Sequence, residues 1–146
     1  MKVDSAEQPA NEIPGSLSQR FKSDPFANYL NFELSEATPG YALVTAKLTE
    51  DTLNFAGSTH GGLVFSLADF AFAAASNGHG RLAVATSVSI QFYTAAKAGD
   101  TLFAEACEQQ LTHRAGFYEM TVTNQSGAMV AKCLGMVHRS ERSWFE

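Results

Sequence analysis

HGGLVFSLADFAFAAAS, His60 to Ser76, decides the reading of this chain. Thirteen of its seventeen residues are apolar or glycine; the exceptions are His60, Ser66, Asp69 and Ser76. The stretch is too long for an ordinary strand, and Asn77-Gly78 supplies a helix stop. A helix that is apolar on nearly every side is a buried helix. Yet Asp69 sits near its middle, and burying a carboxylate without a partner is costly.

The flanks read as strands. YALVTAKL (Tyr41 to Leu48) puts Ala42, Val44, Ala46 and Leu48 on one face. After the helix, LAVATSVSIQFYTA (Leu82 to Ala95) puts Val84, Thr86, Val88, Ile90 and Phe92 on one face. DTLFAEACEQQL aligns Leu102, Ala104 and Ala106, and GFYEMTVTN aligns Tyr118, Met120 and Val122. GAMVAKCLGMVHR closes the sheet, with turns at Gly99-Asp100 and Gln125-Ser126-Gly127. Upstream, NFELSEA is a short strand ending before Pro39-Gly40. Ser16 to Leu30 forms one or two short helices around Pro25, packed through Phe21, Phe26, Tyr29 and Leu30. Residues 1–15 form a disordered tail, and residues 16–146 a single domain. The fold class is α+β, a curved antiparallel sheet wrapped around one long central helix.

Bulk properties exclude several functions. A net charge of −5 and scattered basic residues argue against nucleic-acid binding. No stretch is long and apolar enough for a membrane span or signal peptide. The four histidines and two cysteines lack metal-ligand spacing, so no metal is expected. Reduced thiols and the absence of a targeting segment make the cytoplasm the expected compartment.

The chemistry concentrates on the helix. Its start, STHGG, places Gly61 and Gly62 where backbone N–H groups are unpaired and a partial positive charge collects. Glycines let a ligand approach that backbone closely, and no capping box occupies its donors. Such an end suits a carbonyl oxygen gaining negative charge. Asp69 has two readings: a structural residue bonded to a neighbour such as Ser66, or a catalytic carboxylate made basic by its apolar setting. His60 and Asp69 are nine residues apart. On a helix that is roughly 13.5 Å and opposite sides. If both act on one substrate atom, a second copy must supply one of them, and a twofold dimer does so.

LNFAGSTHGGLVFSLADFAFAAASNGHGR, VSIQFYTAAKAGDTLFAEA and RAGFYEMTVTNQSGAMVAKCLG resemble the PaaI-type acyl-CoA thioesterases of the hotdog-fold superfamily. The resemblance runs from Tyr41 to Arg139 and rests on Asn54, His60-Gly61-Gly62 and Asp69 at family spacing. It implies a hotdog fold, a homodimer with composite sites, and a dimer of dimers. Asp69 is implied as general base or nucleophile, and the Gly61 N–H as the group polarising the thioester carbonyl. Asn54 and His60 would position the thioester or water from the opposite subunit, and Ser87 would orient the water. Gly62 would share the backbone contact, while Phe55, Phe65 and Phe72 would line the acyl chain. No cofactor is implied, because coenzyme A is part of the substrate.

Two departures from the family pattern bear on specificity. Phe55 stands where many relatives have glycine, and Thr94-Ala95-Ala96 replaces an Arg-Pro-Ala run before Lys97. The lost arginine leaves Lys97 and Arg114 as candidates for coenzyme A phosphates, though each also reads as a solvated surface charge. The leading expectation is hydrolysis of aryl-acetyl or medium-chain acyl-CoA. The alternatives are a hotdog enoyl-CoA hydratase or dehydratase, and a non-catalytic acyl-CoA binding protein.

Overall fold

Alternation of small apolar and polar residues builds the sheet. The computed structural model describes residues 12–145. Of the expected tail, residues 1–11 lie outside the described residues, and a first helix, α1, runs Gly15–Lys22. α2 (Pro25–Tyr29) follows, then β1 (Glu33–Thr38), β2 (Tyr41–Lys47), a 3₁₀ turn (Glu50–Thr52) and the long helix α3 (Gly61–Asn77). Four strands complete the chain: β3 (Arg81–Phe92), β4 (Thr101–Leu111), β5 (Ala115–Asn124) and β6 (Met129–Ser143). All six strands pair antiparallel in the order β1-β2-β4-β5-β6-β3.

The inward rows are the ones the alternation marks. Ala42, Val44 and Ala46 of β2, Leu102, Ala104 and Ala106 of β4, and Tyr118, Met120 and Val122 of β5 are all buried. Small residues on β2 and β4 let α3 lie close across them. Its own contribution is Leu63, Val64, Leu67, Ala68, Ala71, Phe72 and Ala75. Each buried large side chain of this kind stabilises by about 1.5–3 kcal/mol. Phe72 packs on Tyr118 with ring centroids 5.4 Å apart. A Cβ at Gly135 would lie 2.7 Å from the Phe72 ring, so the helix can sit here only over a glycine. At the far end, Asn77 accepts from Ala83 N–H and Trp144 Nε1, and donates to the carbonyls of Ala73 and Ala83. That network fixes where α3 stops.

Three expectations need correction. α3 is not buried all round: Gly62, Phe65, Ser66, Asp69, Phe70 and Ala73 remain wholly or partly open. These positions, apart from Phe70, cluster on one side at 100° per residue, opposite the buried stripe. The β3 residues do not share one face either. A bulge between Ala85 and Ser87 inserts one residue, so Val84 turns outward while Val88 and Ile90 pack on the core. Finally, of the four side chains expected to pack the short helices, Phe21 and Leu30 do so, but Phe26 and Tyr29 are exposed, and Leu17 and Ala27 are buried instead.

β3 is an edge of the sheet, and Ala83 is its only buried residue. Val84 and Phe92 are 50% and 56% exposed. A long edge strand with apolar side chains is a ready template for another chain.

Candidate active site

The start of α3 is held by three backbone contacts. Thr59 N–H donates to Ala96 O at 2.9 Å, His60 N–H to Thr52 O at 2.8 Å, and Leu63 N–H to His60 O at 3.0 Å. His60 is the N-cap, and its Nδ1 accepts the Gly62 N–H at 2.9 Å. An accepting Nδ1 leaves the ring proton on Nε2. This corrects the expectation that the glycine amides are both free, because His60 itself occupies that of Gly62. The Gly61 N–H has no acceptor among the described residues. It is the donor left at the positive end of the helix.

Gly61 borders a cavity of about 380 Å³ that Asn54, Thr59, Val64, Phe92 and Thr94 also line. Asn54 has one polar end committed. Its Oδ1 accepts from Ala56 N–H at 2.9 Å and Ser58 N–H at 3.1 Å. The Nδ2 group is therefore the end available to a ligand, as a donor. Two residues of this cavity were not singled out in the sequence. Phe92 roofs Gly61, with a ring carbon 3.4 Å from where a Cβ would stand. Thr59 is 7% exposed, and its Oγ1 has no partner among the described residues. A buried, unpaired hydroxyl is unusual, and no composition signal marks it.

Asp69 does not reach that cavity. It lines a second one, of about 120 Å³, with Asp24, Phe26, Phe32, Ser66 and Phe70. The expected Ser66 partner is not there: Ser66 Oγ donates to Gly62 O at 2.7 Å, not to the Asp69 carboxylate. Burial pushes the Asp69 carboxyl above the ordinary carboxylate range, and the Asp24 charge adds to the shift. Its own charge is felt in turn by Cys133, whose thiol is pushed up to about 11, chiefly by burial. Asp69 is thus a carboxylate of raised proton affinity with no hydrogen-bond or ion-pair partner among the described residues.

The remaining expected site residues divide. Phe65 lies on the partly open side of α3. Phe72 does not line a site: at 1% exposure it is core, wedged between Tyr118 and Gly135. Phe55 sits fully exposed in the loop that Asn54 braces and touches neither cavity. Ser87 pairs with Met136, an outward residue, so in its own chain it faces away from α3. Lys97 is exposed and directly follows Ala96, which lines the Gly61 cavity; Asp100 braces its turn by accepting the Lys97 N–H. Arg114 is exposed in the β4–β5 turn, at the other end of the sheet. Among the described residues, no group of three or more His, Cys, Asp or Glu comes together to hold a metal. No helix among them is long and apolar enough to cross a membrane.

Residues 56–131 match the thioesterase superfamily. The chain belongs to that superfamily. Its sheet and central helix are the hotdog fold, and its class of activity is thioester hydrolysis. It is 42% identical to a putative esterase of Archaeoglobus fulgidus over 119 residues, 82% of this chain and 77% of that one. It is 39% identical to the acyl-coenzyme A thioesterase PaaI of Escherichia coli, over 82% of this chain and 85% of that one. The solved structure of the E. coli PaaI protein from the phenylacetic acid degradation operon superposes at a TM-score of 0.84, covering 86% of this chain and 91% of the other at 36% identity. The smu.793 protein of Streptococcus mutans, solved bound to acetyl-CoA, superposes at 0.74 with 29% identity, covering 77% and 91%.

Proposed function

We propose that this thioesterase hydrolyses acyl-CoA to free acid and coenzyme A, at sites completed by a second copy of the chain. One observation carries the reading. The same helix holds an unpaired backbone donor at its positive end and an unpaired carboxylate of raised proton affinity on its open side. Eight residues separate Gly61 from Asp69, about 12 Å along the axis, and they border different cavities. A twofold copy supplies the missing half to each.

At such a site the Gly61 N–H, with Asn54 Nδ2 beside it, donates a hydrogen bond to the thioester carbonyl oxygen. Asp69 of the other chain takes a proton from water as the water oxygen attacks the acyl carbon, or itself attacks that carbon. The carbonyl oxygen becomes an oxyanion, which a fixed helix-end donor stabilises more than it stabilises the neutral carbonyl. Collapse breaks the carbon–sulfur bond: in the water route the leaving thiolate takes the proton held by Asp69, and in the nucleophilic route it leaves an acyl–Asp69 anhydride, whose hydrolysis by water releases the free acid, restores the carboxylate and supplies the thiol proton. His60 Nε2–H remains free to orient water or the thioester. Coenzyme A enters as substrate, with Lys97 at the Gly61 end of the sheet as a candidate partner for its phosphates.

The names of the E. coli and S. mutans relatives support acyl-CoA as the substrate class. The open β3 edge supports the dimer, and the outward row of Phe117, Leu134 and Met136 supports pairing of dimers. Aryl-acetyl and medium-chain acyl groups are the proposed range, with the cytoplasm as the compartment. The test is thiol release from a panel of acyl-CoAs. Asp69→Asn is expected to lose at least about a hundredfold in kcat. Full activity in that variant would remove the role assigned to Asp69.

A further inference from the structure

Asp69 shares its cavity with a segment that lies outside residues 56–131, the stretch matched to the superfamily. That segment is α2. Asp24 caps it, accepting the Ala27 N–H at 2.9 Å, and Pro25 opens its first turn. Ala27 and, just beyond, Phe32 are buried and anchor it to the core. Phe26, immediately before Ala27, is 59% exposed. A rigid, anchored turn thus holds a large apolar ring away from the core.

The ring lies along the open side of α3. Phe26 lines the Asp69 cavity of about 120 Å³ and also a neighbouring one of about 220 Å³ bordered by His60, Gly62 and Leu63. Only Phe26 and Ser66 are common to both. Ser66 belongs to the helix wall, with its hydroxyl tied to Gly62 O. Phe26 therefore stands at the border of two neighbouring cavities, and Asp69 lines the smaller.

We propose that Phe26 is a specificity-determining residue: its ring bounds the acyl group beside Asp69 and sets the longest chain the site accepts. This rests on the acyl-thioester reading above. The smaller compartment is close to the 150 Å³ that holds one benzene ring in a protein core. A short acyl chain or a single ring fits it, with Phe32 and Phe70 as apolar walls. A longer chain has to pass Phe26. Without the ring the two compartments join, and the groove runs from Asp69 back toward His60.

The test compares Phe26→Ala and Phe26→Trp in the full chain. kcat/KM is measured by thiol release from butyryl-, phenylacetyl- and dodecanoyl-CoA, and Kd by calorimetry with the corresponding non-hydrolysable thioethers. Phe26→Ala is expected to raise the dodecanoyl-to-butyryl ratio by about tenfold or more, the scale of one or two methylenes in a pocket. Phe26→Trp is expected to lower it. Because Phe26 is exposed, neither change removes core packing, and a matched urea midpoint checks this. A ratio unchanged in both variants, while Asp69→Asn is inactive, overturns the proposal and leaves the hydrolase reading standing. Absent turnover with a shifted Kd ratio overturns the hydrolase reading and keeps Phe26 as the selector.

Discussion

Replacing His60 by Ala separates a folding role from a chemical one. In the native chain His60 Nδ1 accepts the Gly62 N–H at 2.9 Å and caps the helix that carries Gly61 and Asp69. The ring is exposed, so water can reach the freed amide and the penalty is that of a lost cap, not of a buried unpaired group. Caps of this kind contribute about 0.5–2 kcal/mol, and solvent access places this one near 1 kcal/mol. For a domain of this size that lowers Tm by about 2–4 °C. His60→Asn keeps a side-chain acceptor at the cap and is expected to recover most of the loss. Urea unfolding of the three proteins at one fixed concentration measures it, since association also contributes to stability. Any deficit in kcat/KM that persists in the Asn variant then belongs to the Nε2–H. Equal stability of the wild type and His60→Ala, or no recovery in His60→Asn, would refute the capping assignment.

Other consequences follow from the same contacts. Asp24→Asn retains the α2 cap but removes the like charge beside Asp69, so the acid limb of the kcat/KM profile should move to lower pH; an unmoved limb contradicts the placement of α2. Asp69 binds its proton more tightly folded than unfolded, so its effect on stability is absent at low pH and becomes destabilising as pH rises from the ordinary carboxylate pKa through the raised one. Asp69→Asn should therefore be more stable than wild type at neutral pH, and that gain should vanish in acid, as read from urea midpoints at both pH values. Gly135→Ala places a Cβ 2.7 Å from Phe72 and 3.0 Å from Met120 Cε, and should cost about 1–3 kcal/mol; an unchanged midpoint would show that α3 can retreat freely.

The helix and most strands were legible because their signals are local. Period-two alternation in β2, β4 and β5 and the long apolar run of α3 need no tertiary information. What was missed depends on neighbours. The β3 bulge is a one-residue insertion that reverses Val84 relative to Val88, and no composition cue marks it. Histidine is not among the common N-cap residues, so the loss of the Gly62 amide was invisible. Phe72 and Phe65 look alike in sequence, but only Phe72 points at Gly135 and Tyr118. Lys97 and Arg114 look equivalent until strand order places them at opposite ends of the sheet. Asp24 and Phe26 meet Asp69 only because α2 folds back over the open side of α3.

If each thioesterase site takes its carboxylate from one chain and its helix-end donor from another, mixing two inactive variants restores activity. Asp69→Asn removes the carboxylate. Gly61→Pro removes the amide hydrogen at a first helical position where proline is tolerated, following a His60 whose φ of −59° and ψ of 131° suit the residue before proline. Each variant alone should be nearly inactive. In a mixed dimer one site collects both defects and the other none. Random reassociation of equal amounts should restore about a quarter of wild-type thiol release. A mixture no more active than its two parents would contradict the shared site and place the whole reaction within one chain.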